Sequence, residues 1–94
     1  MGRAEYKVEG GKLVKAQVTV DGNRILKVKI TGDFFLHPED FLEELEEAIV
    51  GSFLDESSLA RLIKSLADRR NATLLGVSPE DFAKCIVMAG KSDG

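Results

Sequence analysis

Apolar and polar residues alternate through the opening strands of the chain, and from Phe41 onward the apolar residues recur at helical spacing. From Arg3 to Glu9, Tyr6 and Val8 alternate with Glu5, Lys7 and Glu9, which predicts a short strand. Gly10-Gly11-Lys12 interrupts it, and paired glycines between two alternating runs predict a hairpin turn. From Leu13 to Val20, Val14, Ala16, Val18 and Val20 share one face while Lys15, Gln17 and Thr19 take the other. After a turn at Asp21-Gly22-Asn23, the next run is expected to put Leu26, Val28 and Ile30 inside and Lys27, Lys29 and Thr31 outside. Three strands joined by two tight turns form an antiparallel meander. Its polar face carries Lys7, Lys15, Lys27 and Lys29.

The segment Gly32-Asp33-Phe34-Phe35-Leu36-His37 leads from the sheet into the helices. Pro38 suits a first helical position, and Glu39 and Asp40 complement the helix N-terminal dipole. Phe41, Leu42, Leu45, Ala48 and Ile49 then form one broad apolar stripe, with Gly51 as its stop. A second helix is predicted from Asp55 to Ser58 onward, reaching about Asp68, with Leu59, Leu62, Ile63 and Leu66 buried and Arg69-Arg70-Asn71 closing it. Ala72 to Val77 is a connector too apolar to stay exposed. Ser78-Pro79-Glu80-Asp81 combines an N-cap serine, an N1 proline and first-turn acids, and predicts a third helix to about Ala89 that buries Phe82, Ala83, Ile86 and Ala89. Lys91 to Gly94 are expected to fray. The whole reads as an α+β chain of order βββααα, a two-layer domain in which helices cover one face of a three-stranded antiparallel sheet.

Composition narrows the function classes. Ninety-four residues, 44% hydrophobic and 31% charged, make one ordinary globular domain spanning residues 1–94. A net charge of -3 argues against a chain built to neutralise phosphates, so nucleic acid is not the expected partner. Cys85 is the only cysteine, which excludes an internal disulfide and an all-cysteine metal site within this chain. With no signal-peptide pattern and no membrane-length apolar run, the expectation is a cytoplasmic protein that does not engage a membrane.

The chemistry-bearing residues do not assemble into a reaction centre. His37, beside Asp33, Glu39 and Asp40, is the sole histidine and reads as a partly exposed residue at a helix mouth. Cys85 falls between Phe82 and Ile86 on a buried helix stripe, and a packed thiol is the simpler reading than a reactive one. Glu43, Glu44, Glu46 and Glu47 read as the solvated face of the first helix. Gly10-Gly11-Lys12 leads into a strand, whereas a phosphate-cradling loop leads from strand into helix. The residues therefore point to an interaction module, whose contact surface is the open sheet face with the Gly32 to Pro38 corner.

The ordered set Gly10-Gly11-Lys12-Leu13-Val14, the turn at Asp21-Gly22, and Ile30-Thr31-Gly32-Asp33-Phe34-Phe35-Leu36-His37-Pro38-Glu39 resembles the C-terminal accessory domain of lipoate-protein ligases. Leu42-Glu43-Glu44-Leu45-Glu46 and Gly76-Val77-Ser78-Pro79-Glu80-Asp81-Phe82 extend the likeness over nearly the whole chain. The resemblance implies a free-standing small subunit that docks on a large catalytic subunit and holds no catalytic residue. It further implies a complex that uses lipoate and ATP, with magnesium, to form lipoyl-adenylate, with a lipoyl acceptor domain as an indirect partner. This chain would bind no cofactor or metal by itself. Gly32, Asp33, Phe34, Phe35 and His37 are the expected partner contacts, with Gly11 and Lys12 as residues near the nucleotide. The same small fold resembles iron-sulfur scaffold and sulfur-acceptor proteins, which supply a rival reading, and a generic interaction module is a third.

Overall fold

In the computed structural model, which describes residues 2–10 and 12–93, the meander is present as β1 (Gly2–Lys7), β2 (Leu13–Asp21) and β3 (Arg24–Gly32), in the order β1-β2-β3 and antiparallel throughout. Gly10 has φ +104, and the Val8 N–H donates to the Lys12 carbonyl at 2.7 Å across the first turn; Gly11 lies outside the described residues. The second turn is the two-residue Gly22-Asn23 link, with Gly22 at φ +62. As the alternation requires, Val14, Ala16, Val18 and Ile30 are buried.

The start of β3 departs from the expected pattern. Thr19 pairs with Lys27 but Val20 pairs with Ile25, so Leu26 is an extra residue in a bulge. That one-residue insertion exchanges the faces: Ile25 is fully buried and Leu26 is half exposed, the reverse of the predicted arrangement.

Three helices follow: α1 (Phe41–Ile49), α2 (Glu56–Arg70) and α3 (Pro79–Asp93). α3 lies across β1 and β2, α2 packs on α3, and α1 flanks β3. Phe41, Leu45 and Ile49 of α1, Leu59, Ile63 and Leu66 of α2, and Phe82, Ala83, Ile86 and Ala89 of α3 are buried; Leu62 is only half-buried, and Ala67 takes the fourth inward place of α2. Asp55 caps α2 by accepting from the Ser58 N–H at 2.9 Å, and the backbone N–H followed by the hydroxyl of Ser58 holds its carboxyl below the usual range. Ser78 and Asp81 cap α3 reciprocally, the Ser78 N–H donating to Asp81 Oδ2 at 2.8 Å and the Asp81 N–H to Ser78 Oγ at 3.3 Å.

Several boundaries differ from the sequence reading. Pro38 is not the first residue of α1; it opens a turn in which the Phe41 N–H donates to the Pro38 carbonyl at 3.0 Å, and the helix starts at Phe41. The last turn of α3 continues through Lys91 to Asp93 where fraying was expected, and Gly90 within it lies close enough to Leu54 that a Cβ would meet the leucine at 2.5 Å. Most consequential is a second sheet of two strands, β4 (Phe35–His37) and β5 (Thr73–Leu75), running antiparallel. The apolar connector docks by pairing with the entry segment.

The first helix does more than present acids to solvent. β3 is an edge strand, and its Ile30 N–H, directed away from β2, is taken by Glu46 Oε2 at 2.7 Å. The α1–α2 connector covers the start of that edge, with the Ile25 N–H on the Ser52 carbonyl at 2.9 Å and the Gly51 N–H on the Ile25 carbonyl at 2.7 Å. Glu44 meets Arg70 of α2 at 3.4 Å. Glu46 and Glu44 are thus structural partners, and only Glu43 and Glu47 are left fully exposed.

Candidate functional site

The corner where β3 gives way to β4 is built around a close approach. Gly32 has φ +156, and a Cβ there would collide with the Leu13 carbonyl oxygen and lie 2.7 Å from the Phe34 ring. Next to it, Asp33 extends the β2–β3 ladder by one residue: its N–H donates to the Leu13 carbonyl at 3.2 Å, and its Oδ1 accepts from the Leu13 N–H at 2.6 Å. Gly32 and Asp33 therefore fix the direction in which the chain leaves the sheet.

That direction separates the two phenylalanines. Phe34 is half-buried and meets Phe82 of α3 edge-on, with ring centroids 5.1 Å apart and planes at 88°. Phe35, the first residue of β4, is 68% exposed. Successive extended residues face opposite sides, and the alternation that begins here continues through β4. Leu36 turns inward and is buried opposite Leu74, while Phe35 faces Leu75, 58% exposed, directly across the pair. His37 and Thr73 form the next pair and are exposed. An open groove of about 440 Å³ runs past this corner, lined by Lys29, Thr31, Phe34, Phe35 and Leu42 among others.

Lys12, at the exit of the first turn, lies near the same region. Its aliphatic stem crosses Gly76 so closely that a Cβ at Gly76 would collide with it, so the hairpin and the end of β5 are packed together. Sequence reasoning brought Gly32 to His37 and Lys12 forward but missed Leu75 and Gly76. Their signal was the run Thr73-Leu74-Leu75 closed by a glycine, a strand-length apolar segment whose partner lies thirty-eight positions earlier in register. No periodicity reports such a pairing.

Cys85 is wholly buried against β1 and β2, its Sγ contacting the Ala4 carbonyl at 3.6 Å and the Val14 carbonyl at 3.5 Å. Burial, with a smaller push from Glu5 and a small opposing pull from the Tyr6 backbone N–H, raises the thiol from its ordinary 9.0 to about 11. Native protein at neutral pH is expected to react with thiol reagents at least about a hundredfold more slowly than guanidinium-unfolded protein. Comparable rates, measured by chromogenic thiol titration, would overturn the packed-thiol assignment. The raised value also carries a sign: the folded state holds the proton that the unfolded state releases above 9.0, so this contribution to stability is intact below 9.0 and declines as pH rises toward 11.

Among the described residues, no three His, Cys, Asp or Glu side chains gather as a metal-binding group, and no helix is long and apolar enough to cross a membrane. What the fold defines is a small α+β domain with an exposed aromatic corner held by a rigid backbone device. The sequence pattern described as the bacterial lipoate protein ligase C-terminus matches residues 3–86, and the chain belongs to that family. It is 36% identical over 76 residues to lipoate-protein ligase A subunit 2 of Thermoplasma acidophilum, covering 79% of this chain and 76% of the relative. A solved structure of an archaeal lipoylation system, comprising a bipartite lipoate protein ligase and its E2 lipoyl domain from Thermoplasma acidophilum, contains a similar chain. The two superpose with a TM-score of 0.77 at 31% sequence identity, covering 89% of this chain and 91% of that one.

Proposed function

We propose that this chain is the non-catalytic small subunit of a two-part lipoate-protein ligase. It docks on the large catalytic subunit and supports ATP-dependent activation of lipoate to lipoyl-adenylate, from which a lipoyl acceptor domain is modified. The observation that carries this reading is the likeness to a relative that is itself named as subunit 2 of such a ligase and is matched over most of both chains.

The corner supplies a physical means. Two large apolar side chains, Phe35 and Leu75, face water side by side on a short sheet, and His37 lies on the same exposed strand. Exposed aromatic anchors on a rigid base are the kind of residue that dominates binding energy at interfaces. In the proposed division of labour Phe35 and His37 touch the large subunit, while Gly32, Asp33 and Phe34 hold the corner in place. Lipoate, ATP and magnesium are bound by the large subunit, and the small subunit acts as a lid that orders loops and keeps water from the acyl-adenylate. Lys12, exposed beyond Gly76, is the residue of this chain best placed to approach the nucleotide phosphates.

The test is pyrophosphate release by the large subunit with and without this chain. Release is expected to depend on the chain, and equal rates in both cases would end the accessory reading. Phe35→Ala is expected to leave the melting temperature nearly unchanged and to weaken binding by about 2 kcal/mol, roughly thirtyfold in Kd. Unchanged binding by the folded variant would remove Phe35 from the interface. The scaffold and sulfur-acceptor rival requires accessible cysteine chemistry, and the burial of Cys85 counts against it.

A further inference from the structure

The charges of this acidic chain are segregated. On the open face of the three-stranded sheet, the register of β1, β2 and β3 lines up Arg3, Lys7, Lys15, Lys27 and Lys29, all exposed, and the carboxylates of these strands are Glu5, between Arg3 and Lys7, and Asp21, at the end of β2. With Arg24 counted, the three strands hold six cations and two carboxylates, and the rest of the sequence seven cations and fourteen carboxylates. Arg3, Gln17 and Lys29 form one row across the sheet, and Glu5, Lys15 and Thr31 the next. Lys15 and Glu5 approach to 3.9 Å, an exposed pair that neutralises little of the face. A groove of about 380 Å³ follows these rows and shares Lys29 and Thr31 with the groove at the Phe35 corner, so the cationic face and the apolar corner are one continuous surface.

We infer that this open face is a second part of the docking surface, receiving a carboxylate-rich patch on the same large subunit that takes the Phe35 corner. The inference rests on the docking reading given above. An apolar anchor bordered by charges of one sign is the arrangement in which the anchor supplies affinity and the field speeds and orients the encounter. A protein surface suits the face better than a nucleic acid. Tyr6, the sole aromatic residue of these strands, is half-buried rather than laid open as a stacking platform, and the Lys84 ammonium sits 4.9 Å from its ring.

The experiment measures binding of the full chain to the recombinant large subunit at low and at high salt, by association and dissociation rates. Wild-type affinity is expected to fall with salt. Lys27→Glu with Lys29→Glu is expected to weaken low-salt binding about tenfold, mostly through slower association, and to flatten the salt dependence. Lys27→Gln with Lys29→Gln removes charge without reversing it; should the reversed variant fold poorly, a smaller loss in the same direction carries the test. Unchanged affinity and salt dependence in folded charge variants, with binding still lost on Phe35→Ala, overturns the inference while leaving corner docking intact. Failure of the wild-type chain to bind the large subunit at either salt overturns both. Tighter binding of the wild type to a duplex oligonucleotide than to the large subunit overturns the inference in favour of nucleic acid.

Discussion

Gly32→Ala is expected to destabilise the protein by about 3 kcal/mol, lowering the melting temperature by roughly 15 °C. Two effects add at this position. The backbone lies at φ +156, which L side chains rarely adopt, and the new methyl group would overlap the Leu13 carbonyl oxygen. That oxygen cannot move aside cheaply, because it accepts the Asp33 N–H that closes the β2–β3 ladder. Gly22→Ala is the control. It also has a positive φ, +62, but nothing lies within 4 Å of its added Cβ, so the strain of about 1 kcal/mol acts alone. Equal melting temperatures for the two variants would show that the close approach at Gly32 has no energetic consequence. A loss confined to Gly32→Ala, with reduced binding of the large subunit by the fraction that stays folded, would tie the turn to the corner it directs.

Phe82→Ala is expected to cost about 3–5 kcal/mol, since the ring is fully buried and its removal leaves a cavity between α3 and the corner. In a domain of this size such a loss approaches total stability, so Phe82→Leu, costing about 1.5 kcal/mol, is the variant on which coupling is measured. The edge-on contact with Phe34 predicts a coupling energy of about 0.5–1.5 kcal/mol in a double-mutant cycle of Phe82→Leu with Phe34→Leu. Additive effects from denaturant midpoints would mean that Phe34 is not anchored through Phe82. The contact bears on the proposed docking, because while Phe34 is held inward its neighbour Phe35 is presented outward.

Much of this could be read along the chain. The period-two runs at Leu13 to Val20 and at Val28 to Ile30, and the cap Ser78-Pro79-Glu80-Asp81, are local signals, and each led to the observed element. Errors arose where a residue's role depends on a distant partner. Leu26 lost its inward place to Ile25 because a bulge is set by pairing with β2, which a strand's own alternation does not report. Glu46 looked like one member of a solvated acidic run, yet the unpaired edge of β3 makes it an acceptor for Ile30. The exposed corner was legible as far as the segment Gly32 to His37, which stood out between the strand and helix patterns. Leu75 was not, because only the β4–β5 pairing brings it across from Phe35.

The sequence by itself determined the sheet meander, the three helical stripes, the packed thiol and the turn at which the chain leaves the sheet, because each follows from side chains near one another in the chain. Tertiary structure alone decided two further things: that Gly32 meets the Leu13 carbonyl, and that Thr73 to Leu75 pair with Phe35 to His37. These depend on register and on close approach between segments far apart in sequence. The physical reason is that such contacts are fixed by the packing of whole elements, and local propensity carries no record of them.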